Sequence, residues 1–168
     1  MMKSKKAQFY IFTAIVLIGY VMTIAPSAVT PKKPVSTFRN LHENYVAESP
    51  KIINNAMHYD GNVSALFENF SDSFMAYAKT RDPNFGLAYA LLYEERIYAK
   101  NYLGETINIT ANTTVIGLNS DSKGEAAKAG TAEFNVSGLA YTLKFTEPVQ
   151  AKVFFRAKKG KEVSIYAT

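Results

Sequence analysis

The chain has 168 residues, 48% apolar and 20% charged, enough for one folded domain and too apolar for a disordered one. It has no cysteine and only two histidines, which excludes a disulfide scaffold, a thiolate metal site and a cysteine nucleophile, and leaves little for a histidine-built metal centre. The net charge of +5 is not a basic patch: of 19 basic residues, Lys3, Lys5 and Lys6 precede the first acid, Glu43, which leaves 16 against 14 acidic ones, so nucleic-acid binding is not expected.

Residues 7–30 carry no charge. As a helix, about 19 of them at ~1.5 Å each span ~28 Å, close to the hydrocarbon core of a bilayer. Phe9, Tyr10 and Tyr20 suit the interfaces, and the preceding lysines place the N-terminus in the cytoplasm and the remainder outside. A retained single-pass anchor is the expected reading, with the lipid bilayer as its partner. A cleaved secretory signal, with Thr23 and Ala25 as small residues before Pro26, and a buried core helix are the alternatives. The expected organisation is 1–25 as basic leader and transmembrane helix, 26–35 as a Pro-rich connector, and 36–168 as an extracytoplasmic domain.

The run Lys5-Lys6-Ala7-Gln8-Phe9-Tyr10-Ile11-Phe12 resembles the class III signal peptides of archaeal type IV pilin-like proteins. There a short basic leader and a small residue precede a Gln that opens a hydrophobic helix. The resemblance covers roughly a dozen residues. It implies processing by a prepilin-type peptidase between Ala7 and Gln8, and other pilin-like subunits as partners.

The rest predicts an α+β domain, helical over 36–80 and β over 85–168. Ser36 or Thr37 caps a helix to about residue 48, with Phe38, Leu41 and Tyr45 on one face. Ser49-Pro50 opens a short second helix with Ile52, Ile53, Ala56 and Met57 inward, and Asp60-Gly61-Asn62 stops it. A third runs over 63–79 with Val63, Leu66, Phe67, Phe70, Phe74 and Tyr77 as its stripe, and Glu68, Asp72 and Lys79 opposite. Two to three short helices are thus expected on the sheet.

After residue 84 the period changes to two. Tyr89, Leu91 and Tyr93 alternate, Glu94-Glu95-Arg96 turns the chain, and 97–103 returns. In 106–110, Ile107 and Ile109 oppose Asn108. In 131–136, Ala132, Phe134 and Val136 oppose Glu133 and Asn135. Ser137-Gly138 is a two-residue hairpin turn, and Leu139, Tyr141, Leu143 and Phe145 answer. Strands over 149–157 and 162–167 follow, joined by a turn at Lys158-Lys159-Gly160. Residues 119–130 are small and polar and read as a mobile loop. An antiparallel meander of about five to seven strands with one buried face is expected.

Asn-X-Ser/Thr occurs at Asn62, Asn69, Asn108, Asn112 and Asn135, where 12 Asn and 24 Ser or Thr among 168 residues give about 1.7 by chance. The excess fits an exported, glycosylated surface; a composition rich in Asn, Ser and Thr is the alternative.

No catalytic constellation is found. His42 and His58 lack partners at metal-ligand spacing. Glu94 and Glu95 either point to opposite strand faces or sit solvated in a turn. Neither a nucleophile elbow nor a phosphate-binding loop is present. No catalytic residue, cofactor or metal is expected. Two functions fit: a pilin-like structural or adhesive surface protein, or an anchored ectodomain that binds a ligand, envelope polymer or partner without polymerising.

Overall fold

Pro50 does not break the first helix. In the computed structural model, which describes residues 37–159 and 162–168, α1 runs from Thr37 to His58 with Pro50 inside it. The pyrrolidine ring removes one helical hydrogen bond and crowds the preceding turn, at a cost of about 3 kcal/mol. Phe38, Leu41, Tyr45, Ser49, Ile53 and Ala56 are all buried, at spacings of three and four that run unbroken past the proline. Packing of that continuous stripe outweighs the local penalty. Ser49 Oγ donates to the Tyr45 carbonyl at 2.7 Å one turn back. The expected second helix is therefore the end of the first. Ile52 is half-buried and Met57 exposed, not inward.

Asp60 turns the chain at φ 48°, and Asn62 caps α2, Val63–Arg81, by accepting from Ala65 N at 3.0 Å. The face of α2 differs from the expected one. Val63, Phe67, Ser71, Met75 and Ala78 are buried, Phe70 and Phe74 half-buried, and Leu66 and Tyr77 exposed. A polar residue leads the buried face because it is satisfied there. Ser71 Oγ donates to the Phe67 carbonyl at 2.8 Å and shares a 2.7 Å hydrogen bond with the Tyr45 hydroxyl of α1.

Nine strands follow: β1 Phe85–Tyr93, β2 Arg96–Asn101, β3 Ile107–Ala111, β4 Thr114–Leu118, β5 Lys123–Ala127, β6 Thr131–Val136, β7 Leu139–Lys144, β8 Gln150–Lys159 and β9 Glu162–Ala167. They form two antiparallel sheets, not one meander. One sheet has the order β5-β2-β1-β8-β9, the other β4-β3-β6-β7. Residues 36–168 are one compact unit of three layers. Phe85, Leu87, Tyr89 and Leu91 of β1 meet the helices. Ala88, Ala90 and Leu92 of the same strand meet Ile107, Ile109 and Phe134 of the second sheet. Alanine on that face lets the sheets approach closely.

The expected loop at 119–130 contains β5, which pairs with β2 from Arg96↔Ala127 to Lys100↔Lys123. Gly124 shows why this strand is small. A Cβ there would stand 2.4 Å from Ile116 Cγ2 and 3.2 Å from Leu118 Cδ2, so glycine permits β4 and β5 to close one side of the sandwich. Asn101 holds the passage between sheets. Fully buried, it donates to the carbonyls of Glu105, Leu118 and Asn119 and accepts from Leu103 N. Lys158 and Lys159 lie within β8 instead of a turn.

The alternation expected for β3 and β6 holds: Ile107, Ile109, Ala132, Phe134 and Val136 are buried, while Asn108 and Asn135 are exposed. In β7 the phase is right but the strand is an edge, so Tyr141 and Leu143 are only half-buried and Leu139 is exposed. The leader, the Ala7–Gln8 junction, the membrane helix and the connector lie outside the described residues. No described helix is long and apolar enough to cross a membrane.

Candidate functional site

The densest group of ionisable side chains joins α2 to β2 and β5. Glu68 and Asp72 stand one turn apart on α2, where two like charges repel. Lys100 and Lys123 are direct cross-strand partners, where like charges also repel. The two repulsive pairs cancel across the helix–sheet seam. Lys100 Nζ lies 2.8 and 3.0 Å from the two oxygens of Asp72 and 3.0 Å from Glu68 Oε1. Lys123 Nζ takes Glu68 Oε2 at 3.0 Å. Tyr102 donates to Asp72 Oδ1 at 2.7 Å, and its ring lies 5.1 Å from the Lys100 ammonium. A cleft of about 380 Å³ adjoins the cluster, lined among others by Asn62, Ser64, Glu68, Tyr98 and Lys123.

The electrostatics fix these groups in their charged forms. Burial disfavours ionisation of Glu68 and Asp72, but hydrogen bonds from Lys100, with Lys123 and Tyr102 respectively, outweigh it and hold both below the ordinary carboxylate range. Burial likewise opposes the Lys100 charge, and Asp72 and Glu68 outweigh it and push its pKa up. The Tyr102 hydroxyl is pushed up by burial and by its bond to Asp72. At neutral pH the lysine has no lone pair to attack with and neither carboxylate has a proton to give. The cluster clamps α2 to β2 and β5. The sequence places Glu68 and Asp72 opposite the apolar stripe of the helix and names no partner for them. The missed signal was Lys100, the penultimate residue of β2 and a buried charge in that strand.

The histidines do not meet. They stand 16 residues apart on α1, ~24 Å along one axis. His42 stacks on Tyr166 at 4.6 Å and meets Phe155 edge-on at 4.8 Å. Its buried Nε2 has no hydrogen-bond partner, and burial holds its pKa below the usual value. Among the described residues no three His, Asp or Glu side chains converge as metal ligands. Glu94 and Glu95 occupy the β1–β2 turn at φ 48° and 60°.

All five sequon asparagines are exposed. Asn62 is the cap of α2, its Oδ1 also accepting from Ser64 Oγ at 2.9 Å, and Asn69 lies on the outer side of that helix. Asn112 sits in the β3–β4 turn at φ 53°, and its Nδ2 donates to the Lys128 carbonyl at 2.9 Å. Asn108 and Asn135 are direct partners in the β3–β6 ladder. Ala7 and Gln8 lie outside the described residues.

No family model, curated protein or solved structure matches the chain.

Proposed function

We propose that this is a single-pass, membrane-anchored cell-surface glycoprotein of pilin-like build, structural or adhesive in role and not an enzyme. Its N-terminus is cytoplasmic and residues 36–168 stand outside the cell. The observation that carries the reading is the exposure of Asn62, Asn69, Asn108, Asn112 and Asn135 on a compact unit that follows, after five residues, an uncharged 24-residue stretch, 7–30. A glycan is bulky and hydrated, so its asparagine must face solvent. On this reading the bilayer, a prepilin-type peptidase acting between Ala7 and Gln8, and other pilin-like subunits are the partners.

A second reading has its own support. Where β7 and β9 are free edges, Leu139, Val163 and Ile165 are exposed around a cleft of about 380 Å³ that reaches Tyr141 and Phe154. This favours an anchored ectodomain that binds a ligand, envelope polymer or partner protein and does not polymerise.

N-terminal sequencing of the native protein extracted from membranes tests the first reading. Gln8 as first residue supports pilin-type processing, Met1 an uncleaved anchor, and a residue near Pro26 a secreted form. Full-length protein released by carbonate extraction would refute the anchor. A chain beginning at Val35 is expected to be soluble and to unfold cooperatively.

A further inference from the structure

We infer that Asn108 and Asn135 form one composite modification site that carries a single N-linked glycan at a time. The inference rests on the glycoprotein reading above and goes beyond it by coupling two of the five sequons. It comes from register. Asn108 is the Cα partner of Asn135 across β3 and β6, of Gly117 across β4, and Asn135 is the partner of Ala140 across β7. One outward row of the second sheet therefore reads Gly117, Asn108, Asn135, Ala140.

Two features of that row matter. Its ends carry the smallest side chains available. A Cβ built on Gly117 would reach only Asn108 Oδ1, at 3.5 Å, so a sugar on either asparagine has a flat strip of sheet to lie on. Its centre has no such room. Adjacent strands run about 4.8 Å apart and facing Cβ atoms stand about 5 Å apart, less than the breadth of a pyranose ring with its substituents. Two sugar chains rooted side by side would occupy the same volume. Asn62, Asn69 and Asn112 have no sequon partner in a neighbouring strand and serve as independent references.

The step is ordinary glycosyl transfer from a lipid-phosphate-linked oligosaccharide by a membrane transferase. The amide Nδ2 forms a bond to the anomeric carbon, whose bond to the phosphate oxygen breaks. The lipid phosphate leaves with the electron pair, and a base of the transferase takes one Nδ2 proton. Once one asparagine is modified, the sugar covers the neighbouring Nδ2.

The test is glycopeptide and intact-mass spectrometry on full-length, folded protein extracted from its own membranes. Molecules are expected to carry sugar on Asn108 or on Asn135, with the doubly modified form at least about tenfold rarer than the product of the two occupancies, a coupling of the size neighbouring sites show. Asn108→Gln is expected to raise occupancy at Asn135 and leave Asn69 unchanged. Thr110→Ala, which destroys the Asn108 sequon but keeps its side chain, is expected to do the same. Double modification at the product frequency overturns the inference. So does sugar at Asn62, Asn69 or Asn112 with none at Asn108 and Asn135, while leaving the glycoprotein reading intact. No sugar at any of the five overturns both.

Discussion

Replacing Lys100 by methionine tests whether the helix–sheet clamp is electrostatic. Methionine keeps most of the apolar stem and removes the charge. Lys100 is 10% exposed in its side chain, and its loss strands two carboxylates that are 24% and 47% exposed. Removing one partner from a fully buried ion pair costs about 3–5 kcal/mol. Here Glu68 keeps Lys123, Asp72 keeps the Tyr102 hydroxyl, and water reaches Asp72. The expected loss at pH 7 is therefore about 1.5–3 kcal/mol, or roughly 1 M in the urea midpoint for a domain of this size. Lys123→Met, whose side chain is 68% exposed, is expected to cost under about 0.5 kcal/mol.

The pH dependence gives the sign. Glu68 and Asp72 have folded pKa values held below their unfolded ones. The clamp's contribution is therefore complete above the unfolded pKa values, near 4, and lost as pH falls through the folded ones. In the Lys100→Met protein the carboxylates lose that support, so the gap to wild type should narrow steadily below about pH 4. Urea unfolding of the chain beginning at Val35, followed by circular dichroism from pH 7 to 2.5, reads the effect. An equal loss at every pH would show that Lys100 acts through packing alone. A loss below about 0.5 kcal/mol at pH 7 would show that the clamp is surface decoration.

Phe155, fully buried against Tyr45, Phe85 and His42, should cost about 3–5 kcal/mol on change to alanine, whereas Leu143→Ala on the edge strand β7 should cost about 1 kcal/mol, both by urea unfolding. Asn62→Ala should lose about 1 kcal/mol with the cap, while Asn62→Asp keeps the cap and removes only the sequon, so the two variants separate stability from modification. Burial depresses the His42 pKa, which gives stability that is complete above its unfolded value of about 6.5 and falls as pH drops through it. His42→Phe should flatten the stability profile between pH 7 and 5.

What was legible in the sequence follows from where each element finds its energy. In β3 and β6 one face is buried and the other is wet, so alternation alone set the register, and Asn108 and Asn135 point outward as expected. β1 lies between two layers and is buried on both faces, so its phase gave a strand but not the second sheet beyond it. Pro50 was read as a helix start because the local rule knows nothing of Ile53 and Ala56 packing on the same sheet as Tyr45. Lys100 and its acids are 28 and 32 residues apart, a pairing no local pattern reports. The sharpest failure was Gly124. Read beside Ser120, Asp121 and Ser122 it signals a loop, because glycine usually marks freedom of the backbone. Here its φ is unremarkable, and what matters is the missing Cβ, whose place is taken by Ile116. Gly117 also sits within a strand, beside Asn108 on the outer face. In this domain these two glycines make room for a neighbour, one for the opposite sheet and one beside the paired asparagines, and only the pairing register distinguishes that use from a turn.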